Sequence, residues 1–216
     1  SSSISQKHHL NNTPLSVQLV LTGYTLVSFS AHACQDGIYN PDKSIIDKAF
    51  VSEIKSFVDT EIVRLSIENQ NVKYDGMSDS EIVDLDNIWR AETGKNDQPL
   101  ISATLSNPLS SYLTRVQAHS IGLYSEIFVM DKFGLNVGQS NISSDYWQGD
   151  EAKFQKTHGV GSGAVFIDDP ELDDDLGICR VQVNMSVDNA KGDLIGAITV
   201  EVNLSEFARR KAHKQK

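Results

Sequence analysis

Three long polar side chains recur at every second position of one run, Arg180, Gln182 and Asn184 within 178–187 (ICRVQVNMSV). Strand alternation sends them to one face of a sheet and Val181, Val183 and Met185 to the other. An arginine fork beside two amides can hold a carboxylate or an amide, the guanidinium bidentately. The same pattern also describes a sheet face that is simply wet. Upstream, Tyr146 and Trp147 with Phe154 offer rigid apolar area tipped by a polar atom. Such residues suit either the lining of a ligand site or a plug that closes the sheet as core.

Asp168, Asp169, Glu171, Asp173, Asp174 and Asp175 crowd six acids into eight positions. Oxygen-rich loops suit Ca²⁺, and Asp168, Asp169 and Asp173 are the candidate ligands. The run lacks the turn glycine and closing Glu of an EF-hand, so a solvated acidic loop is the expectation. Asp150 and Glu151 are adjacent carboxylates that would diverge on a helix, and Asp150 reads as a helix-start cap rather than half of an acid/base couple. Gly159-Val160-Gly161-Ser162-Gly163 is not followed by Gly-Lys-Ser/Thr, so it reads as a hinge rather than a phosphate loop. There is no G-x-S-x-G elbow, and His119 and His158 are isolated. No catalytic residue, resident metal or cofactor is assigned, and the chain reads as a non-enzyme.

The elements that must carry these groups belong to an ordinary globular chain of 216 residues, 39% hydrophobic and 22% charged. Nineteen Lys and Arg against 29 Asp and Glu leave a net charge of −10, which repels phosphate backbones and argues against nucleic acid as a partner. Two cysteines exclude a disulfide-rich scaffold and a four-cysteine zinc site. Cys34 and Cys179 could bridge in an oxidising compartment, but spacing alone does not bring them together, and unpaired cysteines are the expectation.

Residues 1–33 contain no acid. Lys7, His8 and His9 precede a semi-apolar run over 15–30 and then Ala31-His32-Ala33. Those are the parts of a signal peptide cleaved near Ala33; a buried helix of the fold and an uncleaved membrane anchor are the alternatives. The expected location is periplasmic or extracellular.

From Ser44 to Gln70, apolar residues at Ile46, Phe50, Ile54, Phe57/Val58, Ile62 and Leu65 fall in steps of three and four, predicting one long amphipathic helix. A second helix is capped at Ser78 and runs through Ile82, Leu85 and Trp89, with 94–99 as a loop. A third follows Asn107-Pro108. Residues 123–131 and 135–140 read as a hairpin, 145–157 as a short helical segment, and 164–168, 178–187 and 194–204 as three further strands. That order predicts an α+β domain with a five-stranded antiparallel sheet. The domain spans 34–207 with a helical arm over 44–94, followed by a frayed basic tail over 208–216.

Several stretches then coincide in order: Ser106-Asn107-Pro108-Leu109-Ser110-Ser111-Tyr112-Leu113, then Glu126-Ile127-Phe128-Val129-Met130-Asp131-Lys132-Phe133-Gly134, Gln139-Ser140-Asn141, Ser144-Asp145-Tyr146-Trp147-Gln148-Gly149-Asp150-Glu151, and Gly192-Asp193-Leu194-Ile195-Gly196-Ala197. Over residues 44–207 the chain resembles the PDC/Cache family of extracytoplasmic sensor domains, a PAS-like sheet with a long N-terminal helix. The resemblance implies a pocket walled by 140–154 and floored by 164–184. Its implied ligand-binding residues are Ser140, Tyr146, Trp147, Lys153, Phe154, Phe166, Arg180, Gln182 and Asn184. It also implies a small polar or anionic ligand, and a homodimer through the 44–70 helix. With no kinase or methyl-accepting segment after the sheet, signalling through a partner protein is expected. Amino-acid-binding relatives carry an Arg two positions before a pocket aromatic. Aligning that aromatic with Phe154 puts Ala152 there and leaves Lys153 or Arg180 as substitutes. A structural protein that associates without a ligand is the alternative.

Overall fold

The computed structural model describes Cys34, 41–174 and 176–214. The signal-peptide reading of 1–33 and the acid at Asp175 therefore lie outside the described residues. A 3-10 turn, Lys43–Ile45, leads into α1 (Lys48–Val58) and α2 (Glu61–Lys73). The one helix expected over 44–70 is thus two. Asp59 closes α1 and Thr60, extended at ψ 153°, opens α2. Both residue types favour helix ends over interiors.

Helix α3 (Asp79–Glu92) starts on the expected signal, a reciprocal capping box between Ser78 and Glu81. Helix α4 (Pro99–Leu105) was not expected; it begins on a proline at its first position, in what read as the end of a loop. Glu92 draws it in, accepting the backbone N–H groups of Leu100 and Ile101 at 3.1 and 2.9 Å. Helix α5 (Pro108–His119) is capped by Asn107, as the sequence indicates.

The strands are β1 (Tyr124–Met130), β2 (Asn136–Gln139), β3 (Val165–Ile167), β4 (Glu171–Asp173), β5 (Ile178–Asp188) and β6 (Leu194–Asn203). Between β2 and β3 lies α6 (Ala152–Gln155), and α7 (Leu204–Lys214) follows β6. All pairings are antiparallel, in the order β2-β1-β6-β5-β3, and the short β4 joins β5 beyond β3. The domain is α+β, and β4 adds a strand from within the acidic run that read as a loop.

The expected helical segment 145–157 shrinks to the four residues of α6. Asp150 does not cap it; Glu151 holds the N-cap position without a side-chain bond. The preceding residues are tied to other elements: Trp147 bridges to Leu135, and the N–H groups of Tyr146 and Trp147 both donate to Asp86 on α3.

The basic tail is helical through Lys214 because each early cation has an acceptor. Arg210 reaches Glu206 and the carbonyls of Ser120 and Ile121, and Lys211 reaches Asp47 at 2.7 Å.

One sheet face carries Ile127, Val129, Val181, Val183, Met185, Ile198, Val200 and Val202 in the main core. Phe50, Ile54, Val63, Ile67, Leu109, Leu113 and Phe207 of the surrounding helices fill it. Cys34 and Cys179 form a disulfide beside this core, against the expectation of free thiols. The sequence separates them by 145 positions, and only the fold brings their Cα atoms to 5.6 Å. No helix among the described residues is long and apolar enough to cross a membrane.

Candidate functional site

The opposite sheet face holds the polar set. Register places Glu126, Glu201 and Gln182 side by side across β1, β6 and β5. The next row is Phe128, Thr199, Asn184 and Phe166, with β3 supplying the last. The face is therefore divided. At one end Phe128, Met130 and Ala197 pack with Phe154 of α6. At the other lies a cavity of about 200 Å³ lined by Glu151, Ala152, Lys153, Asp168, Asp169, Glu171, Arg180, Gln182 and Glu201.

Of the sequence-derived ligand residues, Lys153, Arg180 and Gln182 meet in this lining, as do Asp168 and Asp169 from the acidic run. Asp173 stands behind Arg180 at 3.6 Å. Tyr146 is 2% exposed and stacks on Trp89, with ring centroids 5.2 Å apart. The Trp147 indole N–H donates to the Phe133 carbonyl. These two aromatics belong to a second core with Ile82, Ile101 and Leu135, packed against α3 and α4. Phe154 is likewise packed, and Asn184 is fully buried, accepting from Thr199 and donating to the Phe166 carbonyl. Phe166 lies under Lys156, and the Ser140 hydroxyl accepts from the Ile127 N–H. None of these six lines the cavity.

Charge defines the cavity. Lys153 pairs with Glu151 at 2.9 Å. Arg180 is surrounded by Glu201 at 3.3 Å, Asp173 at 3.6 Å and Glu171 at 3.9 Å. Lys43 reaches in from the N-terminal turn to Asp169 at 2.6 Å. The expected clamp, a free guanidinium awaiting a carboxylate, is therefore already engaged by the protein's own acids. Glu201 is 4% exposed and takes a Ser125 hydroxyl on Oε1 at 2.8 Å and Gln182 Nε2 on Oε2 at 3.5 Å. Beside it Glu126 is pushed up to about 7, first by burial and then by the Glu201 charge, against the pull of Lys153 and Arg180. Among the described residues, Glu126 Oε1 and Arg180 Nε are buried without a hydrogen-bond partner.

Sequence reasoning gave no ligand role to Glu151 or Glu171, which it weighed only as part of acidic pairs and runs, and did not weigh Glu126 or Glu201. The signal for two of them was available: a charged residue amid β-branched neighbours of a central strand, and a Glu in alternation with Phe128. Among the described residues, no three His, Cys, Asp or Glu side chains converge to hold a metal ion.

No family model and no curated protein matches the chain. Its structural neighbours are PDC/Cache sensor domains of histidine kinases and chemoreceptors, the group that the sequence resembles. One is the sensor domain of the Vibrio cholerae histidine kinase DctB, at 18% identity over 74% of this chain and 58% of that one, TM-score 0.34. Another is the ligand-binding domain of the Campylobacter jejuni chemoreceptor Tlp3 in complex with 4-methylisoleucine, at 12% identity over 70% and 64%, TM-score 0.36. A third is that of the Pseudomonas aeruginosa amino acid chemoreceptor PctC in complex with GABA, at 13% identity over 74% and 62%, TM-score 0.34. The chain spans about three fifths of the length of these structures.

Proposed function

We propose that this chain is an extracytoplasmic sensor module that binds a small molecule and passes its occupancy to a partner protein. The observation that carries the reading is the cavity, where charged side chains of a short helix and of the central strands converge. A ligand seated there would touch Lys153 on α6 and Arg180, Gln182 and Glu201 on the sheet at once. Its differential affinity for a closed arrangement would shift α6 relative to the sheet. The Cys34–Cys179 disulfide supports an oxidising compartment, in keeping with the export pattern of residues 1–33. The reading assigns the chain no enzymatic activity.

Thermal-shift screening of organic acids, amino acids, amines and divalent ions tests this. A ligand at 100 times its Kd adds roughly 2.7 kcal/mol, a readily measured rise in midpoint. The reading fails when no class moves the midpoint. The second reading is an interaction protein that associates through its helical arm without a ligand. Leu65 and Val72, seven residues apart on α2, favour it by standing 48% and 78% exposed. In that case self-association or partner capture persists while every small molecule is silent.

A further inference from the structure

We infer that the cavity takes a small organic cation, an amine that carries no carboxylate of its own. This deepens the small-molecule reading and rests on it.

Each cation of the lining already has protein carboxylates against it: Glu151 on Lys153, and Glu201, Asp173 and Glu171 on Arg180. Five carboxyl groups line this space, those of Glu151, Asp168, Asp169, Glu171 and Glu201, and two more stand outside the lining, Asp173 against Arg180 and Glu126 against Glu201. Three cations, Lys43, Lys153 and Arg180, face them. A ligand carboxylate would find only the buried Arg180 Nε unengaged and would enter a field that is negative already. An ammonium would enter that field with the right sign.

The acceptors it would meet are also in place. Glu201 is a buried acid in the cavity wall whose Oε2 has only the 3.5 Å approach of Gln182 among the described residues. Outside the lining but next to Glu201 in the ladder, Glu126 Oε1 is buried with no partner. Burying a carboxylate without a donor is costly, and an ammonium brings three donors and a full positive charge. A metal ion would need several ligands converging on one point, which the described residues do not provide. The volume, near 200 Å³, equals roughly seven waters of liquid, so the guest is small.

The test measures binding to the oxidised chain at pH 7.5 by calorimetry and thermal shift. Methylamine, ethanolamine and putrescine are compared with acetate, succinate, glycine and calcium chloride. Saturable binding by at least one amine, with the carboxylates and calcium inert, is the expected result. Glu201→Gln should weaken that amine at least tenfold, and Asp168→Asn, at the less buried rim, should weaken it several-fold should Glu201→Gln fail to fold. Binding by acetate, succinate, glycine or calcium without amine binding overturns the inference and leaves the sensor reading standing. Amine binding that neither variant weakens also overturns it. Silence from the whole panel and from the wider screen overturns both.

Discussion

Glu126 on β1 and Glu201 on β6 are direct register partners, so two carboxyl groups share one buried edge of the central ladder. Burial and the Glu201 charge raise Glu126 from 4.5 to about 7. In the unfolded chain it titrates near its ordinary value. Between about pH 4.5 and 7 the folded state therefore binds the extra proton, and stability falls as pH rises through that window. Above it the full penalty is present, at most about 3 kcal/mol. Glu126→Gln should remove this slope. Its melting midpoint should exceed wild type by several degrees at pH 8 and match it at pH 4.5. Parallel pH profiles for the two proteins would contradict the assignment.

The Cys34–Cys179 bridge closes a loop across a sequence separation of 145 and ties the chain ahead of α1 to β5. The chain-entropy relation gives about 5 kcal/mol for a loop of that length, and native bridges deliver about 2 to 5. Reduction, or the Cys34→Ser/Cys179→Ser pair, should lower the urea midpoint accordingly. Reduced wild type and the double variant should coincide. A midpoint unmoved by reductant would show that the bridge does not form.

The β5 face was legible because alternation is a strict period of two: Val181, Val183 and Met185 went to the core and Arg180 and Gln182 to the cavity. The capping signals at Ser78 and Asn107 are local, and α3 and α5 start on them. The break at Asp59-Thr60 was hidden because the apolar steps Ile54, Val58, Ile62 and Leu65 run through it without changing spacing. Tyr146 and Trp147 suit a ligand wall and a core equally; their destination is set by Asp86, sixty positions away in sequence. The occupants of the Arg180 guanidinium come from β4 and β6, and strand pairing over such distances is invisible in a single sequence.

Asp86 is 7% exposed, and its Oδ1 accepts the Tyr146 and Trp147 N–H groups at 2.9 and 3.0 Å while Oδ2 takes Arg90 at 2.8 Å. It is the bolt between α3 and the segment that leads to α6. Asp86→Ala leaves the buried Tyr146 N–H and the half-buried Trp147 N–H without an acceptor and should cost about 3 kcal/mol. Hydrogen exchange should rise at 145–151 ahead of the β5–β6 ladder. Equal protection of both regions would mean that the segment holds its place through Trp89 and Trp147 packing instead.

Gly196 on β6 lies against the end of β1. A Cβ there would collide with the Met130 carbonyl of β1 and stand 3.1 Å from Ile67 Cγ2 on α2. Neither can yield cheaply, since one is ladder backbone and the other belongs to the packed core. Gly196→Ala should cost about 1 to 3 kcal/mol, as overpacking does. Gly192, in the turn before β6, is the contrasting case: φ is +85° and nothing lies within 4 Å of an added Cβ. Gly192→Ala should lose about 1 kcal/mol from backbone strain alone, and Gly192→Asn should recover part of it, because asparagine tolerates the left-handed region. No asparagine substitution should rescue position 196, where the obstacle is space. Chemical denaturation of the four proteins, wild type included, separates the two causes; an alanine at 196 as mild as the one at 192 would show that β1 and β6 can slide apart.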